Sequence, residues 1–315
     1  MSSITDETID CPVIVLVGPT AIGKTELSFE LVERFNCEII SLDSVQVYRY
    51  MNIGSAKPSR EELLSVKHHL INIVDPDEQY DAARFVTDCM FAIRKIESRG
   101  RTVLLTGGTG LYLQALLQGL FDAPPTDKYI RRELETRLAV EGRAVLHQEL
   151  CRVDPEAGKR IHRNDTQRLL RGLEIFLTSG RTWTALIEQQ GQDVKKRIFT
   201  KIKQVGLNCS RDILYKRIAE RSVVMVKRGL IEEVRSLRAM GFGPDLQPMQ
   251  SIGYRHANAY IAGTWDKATM MDNLVRDTRR YAKRQLTWFK KKRDLCWFDR
   301  KDKNKIITAV ARELF

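Results

Sequence analysis

No run of 18 apolar residues occurs in the 315-residue chain, so no segment reads as a membrane-spanning helix. The six cysteines, Cys11, Cys37, Cys89, Cys151, Cys209 and Cys296, are scattered, with no C-x-x-C pair and no Cys/His cluster. Such spacing argues against zinc and against a disulfide framework, and leaves reduced, packed thiols. His68 and His69 lack a metal-ligand partner and read as structural. The first ten residues, MSSITDETID, are polar and acidic, without a basic leader or an apolar stretch, and a cytoplasmic protein is expected. Internal repeats and low-complexity linkers are missing as well. With 43% hydrophobic residues the chain can still bury a sizeable core.

What is present is sharper. Gly18, Pro19, Thr20, Ala21, Ile22, Gly23, Lys24 and Thr25 spell G-x-x-x-x-G-K-T, the loop pattern that cradles phosphates. Before it, Val13, Ile14, Val15, Leu16 and Val17 form an unbroken apolar run, as a strand buried on both faces requires. After it, Leu27, Leu31 and Phe35 recur at i, i+4 and i+8 and predict one apolar helix face. In such a unit, backbone N–H groups and the helix N-terminus converge on a di- or triphosphate. Lys24 adds a point charge and Thr25 a hydroxyl for Mg²⁺. The loop points to a pyrophosphate-containing molecule without saying which bond breaks.

Segments 38–42 and 102–106 read as further buried strands. Between them Ala82, Phe85, Val86, Cys89, Met90, Ile93 and Ile96 trace a helix face. Strands alternating with helices behind a phosphate loop imply an α/β fold, a P-loop-type parallel sheet core flanked by helices. Ligands of such sheets bind at the carboxyl ends of the strands, which gathers the phosphate loop, the DSVQVY run from Asp43 and GGTG at 107–110. Past the Pro124-Pro125 break, residues 127 to about 195 show no strong strand and predict an inserted all-helical lobe. A last strand is expected near 201–208, with helices from Arg211 onward interrupted at 241–248.

Net charge is +12, which biases the surface toward polyanions. Between 276 and 293, nine basic residues stand against one acid, Asp277, with Tyr281, Trp288 and Phe289 interleaved. Two readings are open: a platform for single-stranded or looped nucleic acid, or a solvated cationic helix whose aromatics face the core. Asp43, directly after a predicted strand, is equally divided between capping the next segment and chemistry. The strand at 102–106 runs into Gly107, Gly108 and Thr109 with no Asp or Glu, where a phosphate-loop ATPase would hold its metal. Gly107 and Gly108 would instead admit a ligand close to the backbone, and Thr109 offers a small donor and acceptor.

GPTAIGKT, DSVQVY, IGSAKP (53–58), HHLI (68–71), GGTGLYL, IHRNDTQRLLRGLEIF (161–176), SIGYR (251–255) and KRQLTWF (283–289) resemble, in order and spacing, the tRNA dimethylallyltransferases. The resemblance implies that the loop holds the diphosphate of dimethylallyl diphosphate and that the five-carbon group passes to N6 of adenosine 37, beside the tRNA anticodon. It implies Asp43 as the base and Thr109 as an orienting group. Lys24, the loop amides, Mg²⁺ through Thr25, and Arg221 would neutralise the leaving diphosphate, with Arg217 the second candidate for the arginine. The tRNA-contacting segments it implies are Asp43, Ser44, Val45, Gln46, Thr109, Arg131, Gln167, Arg168, Leu169, Leu170, Arg171, Gln250, Ser251, Ile252, Gly253, Tyr254 and Arg255. To these it adds Lys283, Arg284, Gln285, Leu286, Thr287, Trp288, Phe289 and Lys290. Gln46, Gln167 and Gln285 suit base edges, and Arg168, Arg171, Arg255, Lys283 and Arg284 suit phosphates. Solvated helix polarity is the alternative for some of them.

The expected organisation is a catalytic core of 1–122 plus about 200–315 and a tRNA-contacting lobe of about 123–199. A monomer with the anticodon stem-loop as its partner is expected, without membrane attachment. The sequence departs from the family pattern at Ile22, where a small residue is common, and at Arg163, where Pro is more usual. The end at Phe315 without a Cys/His zinc finger suggests the bacterial type. The rival readings are a phosphate-loop small-molecule kinase, with ATP in the loop and Asp43 on a substrate hydroxyl, and an RNA-binding module that senses nucleotide.

Overall fold

The computed structural model describes residues 7–119, 127–190 and 197–315. The Pro124-Pro125 break and the boundary expected near 122 lie outside the described residues. The strands are β1 (Glu7–Ile9), β2 (Val13–Val17), β3 (Cys37–Leu42), β4 (His68–His69), β5 (Thr102–Gly107), β6 (Arg197–Phe199), β7 (Ile202–Asn208) and β8 (Cys296–Asp299). Six of them hydrogen-bond in the order β4-β3-β5-β2-β7-β8, every pair parallel, while β1 and β6 form a separate parallel pair. β2 and β3 are buried along their whole length. That burial explains why they lack the apolar/polar alternation of half-exposed strands.

Parallel pairing requires crossovers, and helices supply them. α1 (Lys24–Phe35), α2 (Arg60–Ser65), α3 (Ala82–Glu97) and α4 (Gly110–Gln118) lie between the strands of the first half. The apolar stripe expected from residue 82 is the buried face of α3, whose N-terminus Asp81 caps by accepting from the amides of Ala83 and Arg84. The described chain divides into two compact units, Glu7–Gln118 with Arg197–Phe315, and the residues from Gly119 through 190. The second unit is helical: α5 (Lys128–Glu141), α6 (Arg143–Val153), α7 (Pro155–Arg160), α8 (Thr166–Ser179) and α9 (Trp183–Gln190). Leu134, Leu146, Leu150, Leu169, Leu170 and Leu173 form its own core.

The sheet unit continues with α10 (Arg211–Lys227), α11 (Leu230–Ala239), α12 (Tyr254–Ile261), α13 (Lys267–Phe289) and α14 (Lys303–Leu314). Here one expectation is corrected. The strand at 202–208 is not the last, because Cys296–Asp299 pairs with it in parallel as the edge of the sheet. Its core joins β2, β7, α1 and α14 through Ile14, Leu16, Leu27, Leu31, Leu207 and Val310. Ile22 is part of this cluster and fully buried, so its branched side chain fills core space.

Candidate active site

The phosphate loop turns at the carboxyl end of β2 with Gly18, Ala21 and Gly23 at positive φ. Gly23 caps α1 without any side-chain acceptor, so the first amides of the helix keep their partial positive charge for a ligand. Lys24 folds back and donates to the carbonyls of Gly18 and Pro19 at 2.9 and 3.0 Å. Three arginines seat on three successive loop residues. Arg221 donates to Thr20 Oγ1 at 3.1 Å, Arg217 to the Ala21 carbonyl at 2.7 Å and Arg300 to the Ile22 carbonyl at 3.0 Å. Neither Arg217 nor Arg221 is a surface ion pair, and Arg300 is a loop contact that sequence reading missed. Its signal was position: it follows β8 directly, at the sheet edge where ligands bind.

This concentration of charge has a cost that falls on Lys24. Its side chain reaches the cavity, yet its surroundings are dense. Desolvation, reinforced by the Arg221 charge and opposed by Asp43, pulls it from 10.5 to about 7. Burial also lowers Arg221, with Asp43 opposing. A ligand bringing negative charge relieves both.

Asp43 is half-buried at the end of β3. Its Oδ1 accepts from the amides of Val45 at 2.8 Å and Gln46 at 3.1 Å, so it does cap the following turn. Oδ2 has no partner among the described residues, and Asp43 borders the same cavity of about 950 Å³ as Lys24, Thr25, Arg217 and Arg221. Capping and chemistry are therefore compatible, one oxygen for each. Gln46 is held on both sides, accepting from Ser41 Oγ at 3.0 Å and donating to the carbonyls of Ser55 and Ala56. The 52–54 turn behind it is clamped by Glu233 of α11, whose carboxylate accepts from the amides of Asn52, Ile53 and Gly54 and from Tyr254 Oη at 2.7 Å. Lys57, lowered to about 8 by burial, donates to Tyr48 O and Asn72 Oδ1 beneath that turn.

The glycines at the end of β5 are closely packed by protein. A Cβ on Gly107 would lie 2.1 Å from the Leu42 carbonyl, and one on Gly108 2.0 Å from Gln285 Nε2. Protein fills the side on which a Cβ would stand, while both glycines also border the cavity. The amides of Gly108 and Thr109 both donate to Leu42 O. Thr109 Oγ1 is buried beside Tyr281, with no partner in strict hydrogen-bonding geometry among the described residues.

Helical periodicity sorts the cationic segment of α13. Lys283, Arg284, Thr287 and Lys290 are exposed, whereas Gln285 and Phe289 are buried and Tyr281, Leu286 and Trp288 partly so. The aromatics thus turn inward and the charges outward. Around the cavity, Ser44, Val45, Gln250, Ser251, Ile252 and Arg255 join Asp43 and Gln46, while Gly253 and Tyr254 are buried. In the helical unit, Gln167 and Arg168 are exposed, and Arg131 donates to Gln167 Oε1 at 2.9 Å. Arg171 pairs with buried Glu174 at 3.1 Å. Leu169 and Leu170, expected among the contacts, point into that unit's core at 0% and 2% exposure.

Thr25 is exposed beside the cavity, and no group of three or more His, Cys, Asp or Glu able to hold a metal exists among the described residues. Mg²⁺ keeps several waters and demands few protein ligands, so the Thr25 hydroxyl together with ligand phosphates would suit it. No helix among the described residues is long and apolar enough to cross a membrane.

A phosphate loop on a parallel sheet, ringed by arginines and bordered by a carboxylate, defines a phosphate-loop α/β enzyme acting on a diphosphate or triphosphate. The family model described as IPP transferase matches residues 46–292. A tRNA dimethylallyltransferase of Desulfotalea psychrophila is 47% identical over 98% of this chain and 97% of its own. That of Syntrophus aciditrophicus, tRNA dimethylallyltransferase 2, is 42% identical over 96% of each. The crystal structure of the full-length tRNA isopentenylpyrophosphate transferase from Bacillus halodurans superimposes with a TM-score of 0.69 at 38% identity, covering 96% of each chain. A eukaryotic dimethylallyltransferase acting on tRNA gives 0.75 at 28% identity, covering 96% of this chain and 77% of that one. The chain belongs to the IPP transferase family. It is a prenyltransferase, and the small-molecule kinase reading is set aside.

Proposed function

We propose that the chain transfers the dimethylallyl group of dimethylallyl diphosphate to N6 of adenosine 37 in the anticodon stem-loop of tRNA, releasing diphosphate. The observation that carries this is the pairing of Lys24 and Asp43 on one cavity, close enough for the Asp43 charge to act on Lys24. The end of β5, by contrast, offers no carboxylate for nucleotide hydrolysis. N6 attacks C1 of the allyl group as the C1–O bond breaks toward diphosphate. The N6 proton passes to Asp43 Oδ2, the oxygen not committed to the turn. Lys24, Arg221, Arg217 and the α1 amides receive the charge that builds on the leaving oxygens. Thr25 would hold Mg²⁺, which when bound supplies further neutralisation at the diphosphate. The Thr109 hydroxyl orients the reacting groups. Exposed Lys283, Arg284 and Lys290, with Arg131, Gln167 and Arg168 of the helical unit, supply tRNA contacts. A cytoplasmic monomer, with the sheet unit catalytic and the helical unit a tRNA-contacting lobe, completes the reading.

Mass spectrometry of tRNA incubated with purified protein and dimethylallyl diphosphate tests it directly. A gain of one five-carbon prenyl unit on adenosine is expected, and unmodified tRNA at full turnover of diphosphate rejects the assignment. The depressed Lys24 adds a second expectation. Diphosphate favours the ammonium form, so its pKa in the complex lies above that in the free protein. The contribution of Lys24 to affinity is therefore full below about pH 7 and declines as pH rises above it. At pH 8, where the ligand is already ionised, binding takes up about one proton. Calorimetry in two buffers of different ionisation enthalpy measures this, and zero uptake contradicts the placement of diphosphate beside Lys24.

A further inference from the structure

Gln285 stands in the segment that the family resemblance assigns to tRNA, and its amide suits a base edge. The geometry gives it different work. It is 6% exposed on the inner face of α13. Its Oε1 accepts from the Thr20 amide of the phosphate loop at 2.9 Å, and its Nε2 donates to the Gly108 carbonyl at 3.0 Å. Flipping the amide would set donor against donor and acceptor against acceptor, so the network itself fixes the orientation. Gly108 is glycine to make room for it, since a Cβ there would stand 2.0 Å from Nε2. One turn earlier Tyr281 lies beside Thr109 and Gln285, and three residues later Trp288 packs on Gly110. The inner face of α13 thus holds the two loops that carry Lys24 and Thr109. Gln285 borders the cavity, but one amide hydrogen and one oxygen lone pair are already spent on these two loops, and swinging the amide toward a base would break both bonds.

We propose that Gln285 is a positioning residue that braces the phosphate loop against the 107–110 turn, setting the distance between the diphosphate seat and Thr109, and that it reads no base. This rests on the assignment of the loop to diphosphate. Gln285→Met keeps the volume and removes both hydrogen bonds. Calorimetry with inorganic pyrophosphate, in the absence of tRNA, should show affinity about fivefold to tenfold weaker, in line with loss of two buried hydrogen bonds. The single-turnover rate at saturating substrates should fall as well. The tRNA dissociation constant should stay within twofold of wild type. Gly108→Ala, which displaces the amide while leaving Gln285 in the chain, should reproduce the pattern and covers a failure of Gln285→Met to fold. A tRNA dissociation constant raised more than fivefold, or pyrophosphate affinity within twofold of wild type, overturns the proposal. Wild-type protein that binds no pyrophosphate overturns the loop assignment itself, a separate result.

Discussion

Asp43→Asn is expected to slow the single-turnover transfer of the prenyl group by about 10²- to 10⁴-fold, the range for loss of a general base. Asparagine is the informative substitution because Asp43 has two tasks. Its Oδ1 caps the amides of Val45 and Gln46, and an asparagine carbonyl can keep doing so while offering no proton acceptor of comparable strength. Folding stability should therefore hold. Asp43→Ala should show the same rate loss together with a destabilisation of about 0.5–2 kcal/mol from the missing cap. A rate loss under threefold for the asparagine variant, with tRNA affinity unchanged, would remove Asp43 from the role of base.

Replacing Lys24 by methionine is expected to weaken dimethylallyl diphosphate binding by about 30-fold to 10³-fold at pH 6.5, the usual cost of truncating one member of a buried charge pair. The loss should shrink at pH 8, where much of the wild-type Lys24 is already neutral. The same residue should leave a mark on stability. With its pKa lowered from 10.5 to about 7, the folded protein holds fewer protons than the unfolded chain across that window, so wild-type stability gains as pH rises through it. The methionine variant lacks that gain. Denaturant melts at pH 7 and pH 9 compare the two slopes, and parallel slopes would contradict the buried ammonium.

Much of the sheet was legible because its strands are long, apolar and separated by helices of clear period. β2, β3, β5 and the buried stripe of α3 all follow from spacing alone. β8 was not legible: four residues, partly exposed at a sheet edge, carry neither an unbroken apolar run nor a clean alternation. With β8 went Arg300, whose importance comes entirely from the strand that delivers it. The candidate site was legible where chemistry and position coincide, as at Lys24 and Asp43. It was misread where a motif was carried over whole. The period of α8 already turns Leu169, Leu170 and Leu173 to one apolar side, into the core of the helical unit. Gln285 could not be resolved from sequence, since a glutamine is equally at home on a base edge and between two backbone loops. Gly107 and Gly108 are likewise small for the sake of neighbours that only the folded chain supplies.

The Glu233 clamp joins two stretches of chain some 180 residues apart, for the amide it meets at Ile53 belongs to the first half and its hydroxyl partner Tyr254 to the second. Neither half is self-sufficient. Without the carboxylate, three converging N–H groups are left facing one another; without the turn, the carboxylate is a charge with one hydroxyl for company. A change at Glu233 and a change at Gly54 should therefore interact strongly, the double variant being little worse than either alone. A lesion in the helix α11 can thereby loosen the wall that holds Gln46 without touching the cavity at all.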